Sequence, residues 1–212
     1  MLVIGIAGGV ASGKSLVAQC FKHFGAEVLD ADQVGHEVLK DPAIVKRLLD
    51  TFSDNILVDG EIDRTALGKI VFDQSPKGFK ALAALEQITH PEIGKRIQTQ
   101  LNKLRMESDL SAVVFDAPVM FKANWDRFCD KIVFVDADLE LRQSRARQRG
   151  WDDNEISKRE SYQTPLAEKR SKSTDRIDNS QSKNNTYEQV KNIWLSWGLK
   201  IPAKLDSPKT LF

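Results

Sequence analysis

Cysteine is almost absent from this chain: Cys20 and Cys129 stand alone, both in apolar context. Two such thiols cannot make a disulfide framework, so a reducing compartment is expected. Three dispersed histidines add no zinc-ligand spacing to them. No apolar run approaches the length of a membrane span. Met1-Leu2-Val3 leads directly into a strand pattern with no basic segment before it, which makes the cytoplasm the expected address and excludes a membrane partner. Charge of one sign is lacking too. With 31 Lys and Arg against 30 Asp and Glu, the net charge of +1 excludes a globally basic nucleic-acid binder and leaves room only for a local basic site. Repeats and low-complexity tracts are missing. The remainder is ordinary: 41% hydrophobic and 29% charged residues over 212 positions suit one soluble domain with insertions.

The informative stretch comes at once. Gly8-Gly9-Val10-Ala11-Ser12-Gly13-Lys14-Ser15 fits G-x-x-x-x-G-K-[ST] at every defined position. Before it, Leu2 to Ala7 is a short apolar run suited to a buried parallel strand. After it, Leu16, Val17, Cys20, Phe21 and Phe24 recur at helical spacing. Strand, glycine loop and helix bring backbone N–H groups and a helix N-terminus to bear on an anion. Gly8 and Gly13 permit backbone angles and close approach that a Cβ blocks. Lys14 supplies an ammonium for the outer phosphates, and the Ser15 hydroxyl suits Mg²⁺. A nucleoside triphosphate is the expected ligand, held by Gly8, Gly9, Val10, Ala11, Ser12, Gly13, Lys14, Ser15 and Leu16.

A second strand over 26–29 ends at Asp30-Ala31-Asp32. Carboxylates there either cap the next helix or do chemistry, since ligands in open α/β sheets sit beyond the carboxyl ends of strands. From 41 to 106 the pattern is helical and strand-free. Pro42 fits a first helical position, Asp59-Gly60 a turn and Asp63 an N-cap, and Pro91 opens a helix carrying Ile93, Ile97 and Leu101. His90 before that start serves either packing or a substrate. Ala112 to Phe115 is a buried strand ending in Asp116, a candidate for organising Mg²⁺ through water. A further strand covers 131–136. Arg142, Arg145 and Arg149 then share a helix face. Residues 142–176 hold ten of the 31 basic residues, where even spacing would put about five. Asp152, Asp153, Glu155, Glu160 and Glu168 offset part of that charge, and a basic lid over a triphosphate is the favoured reading. The last strand falls at 176–179, followed by a helix packing Val190, Trp194 and Trp197, and an irregular tail from Pro202 onward.

Together these motifs resemble the dephospho-coenzyme A kinase family over nearly the whole chain. The resemblance rests on Asp30-Ala31-Asp32 after strand two, Asp59-Gly60-Glu61-Ile62-Asp63-Arg64 with Leu67 and Val71-Phe72, Leu85-Glu86 ahead of His90-Pro91, and Ile177-Asp178-Asn179. It implies a P-loop NTPase fold: a parallel five-stranded sheet flanked by helices, with a helical acceptor-binding insertion and a lid. The implied domain covers 1–205, with its core at 1–40, 110–149 and 174–200, the insertion at about 41–106, the lid at about 150–172 and a tail at 206–212. It implies phosphoryl transfer from ATP, with Mg²⁺ at Ser15 and Asp116, to the ribose 3′-hydroxyl of dephospho-coenzyme A, an alcohol acceptor. Asp32 would stand beside that hydroxyl, with Arg64, His90 and Pro118 on the acceptor side. Arg145 and Arg149 would be lid arginines, Gln163 a lid glutamine, and Asn179 a neighbour of the base. A monomer or weak homo-oligomer is expected.

One departure stands out: Pro118-Val119-Met120-Phe121-Lys122 carries lysine where the family has glutamate. It raises the alternative of a member that binds coenzyme A and barely turns over. A kinase with another acceptor is disfavoured by the Asp59–Arg64 stretch, and a guanine-nucleotide switch by the lack of N-K-x-D.

Overall fold

The computed structural model describes residues 1–107, 109–152 and 154–202; Asp153 and the tail expected at 206–212 lie outside them. Five strands form one sheet in the order β2-β5-β1-β6-β7. They are β1 (Leu2–Gly8), β2 (Glu27–Asp30), β5 (Ala112–Asp116), β6 (Lys131–Asp136) and β7 (Asp175–Asp178). Every pairing is parallel, so all five carboxyl ends lie along one edge. Parallel strands need both faces covered, and their unbroken apolar runs supply that burial. Val3, Ile4 and Ile6 of β1, Val113 to Phe115 of β5 and Val133 to Val135 of β6 are all buried.

Helices α1 (Lys14–His23) and α9 (Lys183–Ser196) cover one face. Phe21 and Trp194 are fully buried there, with ring centroids 6.1 Å apart, and Trp197 stacks on Phe21 at 5.9 Å. Those tryptophans are packing residues, as their helical spacing predicts. On the opposite face Gly5 admits Met120 and Cys129. A Cβ at Gly5 would stand 2.9 Å from Met120 Sδ and 2.8 Å from Cys129 Sγ. Burial pushes both thiols, Cys20 and Cys129, up to about 12, so neither is poised for redox chemistry. After β6 come α6 (Leu139–Gln148), α7 (Glu155–Ser161) and α8 (Leu166–Ser171), the last packing against β1.

The chain divides into two compact units: residues 1–30 with those from 104 onward, and residues 31–103. The second contains α2 (Ala31–Val38), α3 (Pro42–Phe52), α4 (Arg64–Val71) and most of α5 (Pro76–Glu107). Two sequence expectations fail there. The segment is not strand-free: β3 (Leu57–Val58) and β4 (Glu61–Ile62) pair antiparallel around Asp59-Gly60. Both turn residues have positive φ, 51° and 81°, which matches the twist of a two-residue hairpin. Strands of two residues are too short to show a period of two. Nor does Pro91 open a helix, for it lies inside α5. Proline lacks the N–H and crowds the carbonyl four residues back, at a cost of about 3 kcal/mol. Burial of Ile93, Ile97 and Leu101 on one stripe of the same helix, with Ile88 buried as well, outweighs it. Asp63 caps α4 as expected, and Asp41 caps α3 in the same way ahead of Pro42, each accepting the N–H two residues on.

Candidate active site

The glycine loop turns between β1 and α1 through a left-handed residue. Gly13 has φ 97°, and a Cβ on it would collide with Asn179 Nδ2, so only glycine fits. Asn179 is buried just beyond β7. Its Nδ2 donates to Ser12 O at 2.7 Å, and its Oδ1 accepts the Thr186 hydroxyl at 2.7 Å. Arg145 reaches the same carbonyl from α6, with Nη1 3.1 Å from Ser12 O and Nη2 2.8 Å from Asn179 O. The loop is thus pinned from below by groups more than 130 residues away in sequence. Its Ser12 hydroxyl is a buried side-chain polar atom without a hydrogen-bond partner among the described residues. Buried polar groups rarely stay unpaired, and an unpaired hydroxyl inside an anion-binding loop fits a phosphate oxygen.

Lys14 folds back over this loop, with Nζ donating to Gly9 O at 2.8 Å and to Gly8 O at 3.4 Å. Burial lowers its pKa, while Asp116 and Glu160 act to raise it. Register explains the nearness of Asp116: it pairs with Ile6 of β1 on one side and Asp30 of β2 on the other. Asp30, Asp116, Asp136 and Asp178 each end a strand at the ligand-bearing edge. Asp136 holds Arg170 and, at 2.5 Å, Arg176; the Ser180 N–H holds the Asp178 carboxyl below the usual range. Ser15 lies exposed in the first turn of α1. Among the described residues no three His, Cys, Asp or Glu side chains cluster as a metal site. A cation here would therefore depend on phosphate oxygens as well as on Ser15 and Asp116.

The arginine face of α6 splits into three tasks. Arg142 is buried and pairs with Glu160 at 2.6 Å. That same carboxylate oxygen accepts the Val10 N–H at 2.9 Å, which ties α7 to the loop. Arg145 clamps the loop from below. Arg149 lies 5.6 Å over the Trp151 ring, and Arg159 lies 4.3 Å from it. Trp151 itself packs against Val10, Ala11, Ala146 and Ile156. Gln163 accepts a 2.6 Å hydrogen bond from Lys169 Nζ. The sequence reading passes over Lys169 as one cation among ten; only its three-residue spacing from Leu166 hinted at an inward face.

Pro118 joins Gly8, Lys14, Phe121 and Lys169 around one pocket beside the loop. Lys122 follows as an exposed residue. The other acceptor-side candidates belong to the second unit. Asp32 is exposed in the first turn of α2, where a carboxylate complements the helix dipole. Arg64 begins α4 with Nη1 3.5 Å from His36 Nδ1, a neighbour the sequence reading did not pick. His90 is half-buried within α5.

A family model described as dephospho-CoA kinase matches residues 2–185. A dephospho-CoA kinase of Carboxydothermus hydrogenoformans is 38% identical over 207 residues, covering 95% of this chain and 97% of that protein. The crystal structure of TT1252 from Thermus thermophilus superposes with a TM-score of 0.76 at 30% identity, covering 92% of this chain and 97% of that one. Dephospho-CoA kinase from Campylobacter jejuni superposes at 0.67 with 26% identity, covering 92% and 98%. The chain belongs to the dephospho-CoA kinase family, and it is a kinase built on the P-loop fold.

Proposed function

We propose that this chain carries out the last step of coenzyme A biosynthesis, moving the γ-phosphoryl group of ATP onto the ribose 3′-hydroxyl of dephospho-coenzyme A. The observation that carries the donor half is the Gly8–Ser15 loop, with its left-handed Gly13 locked against Asn179 and its orphaned Ser12 hydroxyl. The acceptor half follows from membership of the family.

Transfer of a phosphoryl group is mostly a matter of position and charge. The loop N–H groups and the N-terminus of α1 bind the phosphate chain. Lys14 exchanges the carbonyls of Gly8 and Gly9 for phosphate oxygens, a better partner for a desolvated ammonium. Arg145 keeps the loop in shape, and Arg149 follows as the C-cap residue of the same helix. Ser15 and Asp116 would hold Mg²⁺, Asp116 through water; the ion, when bound, neutralises charge on the outer phosphates. Asp32 orients the acceptor hydroxyl and takes its proton. The new bond joins that oxygen to the γ-phosphorus as the bond to the β–γ bridging oxygen breaks, and ADP leaves with the electron pair. Arg64, His90 and Pro118 serve the acceptor, and Asn179 serves the loop. The insertion at about 41–106 and the lid at about 150–172 are the parts assigned to acceptor and closure. The protein works in the cytoplasm, without nucleic acid or membrane, as a monomer or weak homo-oligomer.

A coupled assay of ADP release with ATP, Mg²⁺ and dephospho-coenzyme A tests the reading. Acceptor-dependent ADP formation is expected, and none above the acceptor-free rate would sink it.

A further inference from the structure

Lys169 has no task in the scheme above, and its surroundings are unusual for a lysine. It sits on α8, the helix that packs against β1, and is 4% exposed. Its Nζ donates to a neutral amide oxygen, Gln163 Oε1, at 2.6 Å. Among the described residues no carboxylate lies within ion-pair distance of it. A buried ammonium without an anionic partner is costly, and a structural lysine would normally extend its head to water or to a carboxylate. Lys169 does neither. It lines the same pocket as Lys14, so two ammoniums face one small space.

The position of that pocket identifies the anion. Its walls include Gly8, Lys14, Pro118 and Phe121, and not Gly13 or Ser15. It therefore lies at the start of the loop, where the loop lysine meets the outer phosphates, rather than at the α1 N-terminus. We propose that Lys169 is a second phosphate-binding lysine of this kinase, contacting the non-bridging oxygens of the γ-phosphoryl group, with Gln163 holding its side chain in place. The proposal rests on the ATP-dependent reading above. Burial, then the Lys14 charge, brings the Lys169 pKa down to about 8, with Glu160 opposing. A doubly charged phosphoryl oxygen cluster between the two lysines reverses that penalty.

Lys169 would then do for transfer what a positioned arginine does elsewhere, neutralising charge that grows on the outer phosphate.

The test is calorimetric titration of wild type, K169M and K169R with Mg²⁺-ADP and with a non-hydrolysable Mg²⁺-ATP analogue. K169M should lose about 10-fold or more in affinity for the ATP analogue while ADP affinity stays within about twofold, because only the former carries the γ-phosphoryl. Its kcat should fall by about 10²-fold or more. K169R keeps the charge and should retain most of the preference for the ATP analogue over ADP. Equal loss for both nucleotides, or no loss for either, overturns the assignment. Should K169M not fold, K169R decides: a folded K169R without the preference overturns it, and one that keeps it supports it. Wild type binding neither nucleotide would instead overturn the donor reading, and this proposal with it.

Discussion

The two units of this chain reach order by different routes. Residues 1–30 and the region from 104 onward close around a parallel sheet buried on both faces, and their key polar groups are locked by contacts across long sequence separations. Ser12 O, for instance, receives Asn179 and Arg145 at once. Residues 31–103 are mostly helical, held by local caps at Asp41 and Asp63 and by a partly exposed triad in which Arg96 meets Asp41 and Glu92. Large apolar side chains such as Val58, Phe72 and Phe79 remain about half exposed there. The difference bears on the phosphate loop, which lies in the first unit. A phosphate chain must be held with little tolerance, which favours groups on rigid, buried elements.

The sharpest way to break the contrast is to remove one charge from each side. Lys14→Ala should lower kcat/KM for ATP by about 10³-fold or more and weaken nucleotide binding with it, measured by steady-state kinetics and calorimetry. An unchanged rate would refute the phosphate-loop assignment. Asp32→Asn should lower kcat by about 10²–10³-fold while ATP affinity stays within about twofold. Equal losses in both would make Asp32 a structural residue.

Stability offers a second cut. Asn179→Ala takes one of two donors from the Ser12 carbonyl, which keeps Arg145, and the short acceptor from the buried Thr186 hydroxyl, so a loss of about 1–3 kcal/mol is expected, read from denaturant unfolding. Arg96→Ala removes pairs that are about one-third exposed, and about 1 kcal/mol or less should go with it. If both variants shift the midpoint alike, the units do not differ in the way described. The smallest effect is expected from Lys122→Glu, which reverses an exposed charge and should move KM for dephospho-coenzyme A by about 2–10-fold with kcat little changed. A KM that stays put would place Lys122 outside the acceptor pocket.

Much of the sheet unit was legible from residue order. Apolar runs ending in aspartate mark parallel strands and their functional edge, and G-x-x-x-x-G-K-S between strand and helix leaves few alternatives. Legibility failed where the cause was distant or the element too short. The β3–β4 hairpin offers two residues per strand. Pro91 stays helical because burial along α5 overrides its local preference. The hold of Asn179 on the loop, its amide on Ser12 O, has no sequence signal. Glu160, read as a charge offset, bonds Val10 N–H and Arg142 instead.

The opening loop illustrates the division. Residue order alone determined the glycines, the lysine and the hydroxyl, because phosphate binding by backbone N–H groups is a local device that eight consecutive residues can encode. It also determined the family. Tertiary structure alone decided what stands around the loop: Asn179 beneath Gly13, Arg145 on Ser12, Glu160 on Val10, and Lys169 beside Lys14. Those neighbours come from segments 130 residues or more away. Their placement depends on strand order and helix packing, neither of which leaves a periodic signal in the chain.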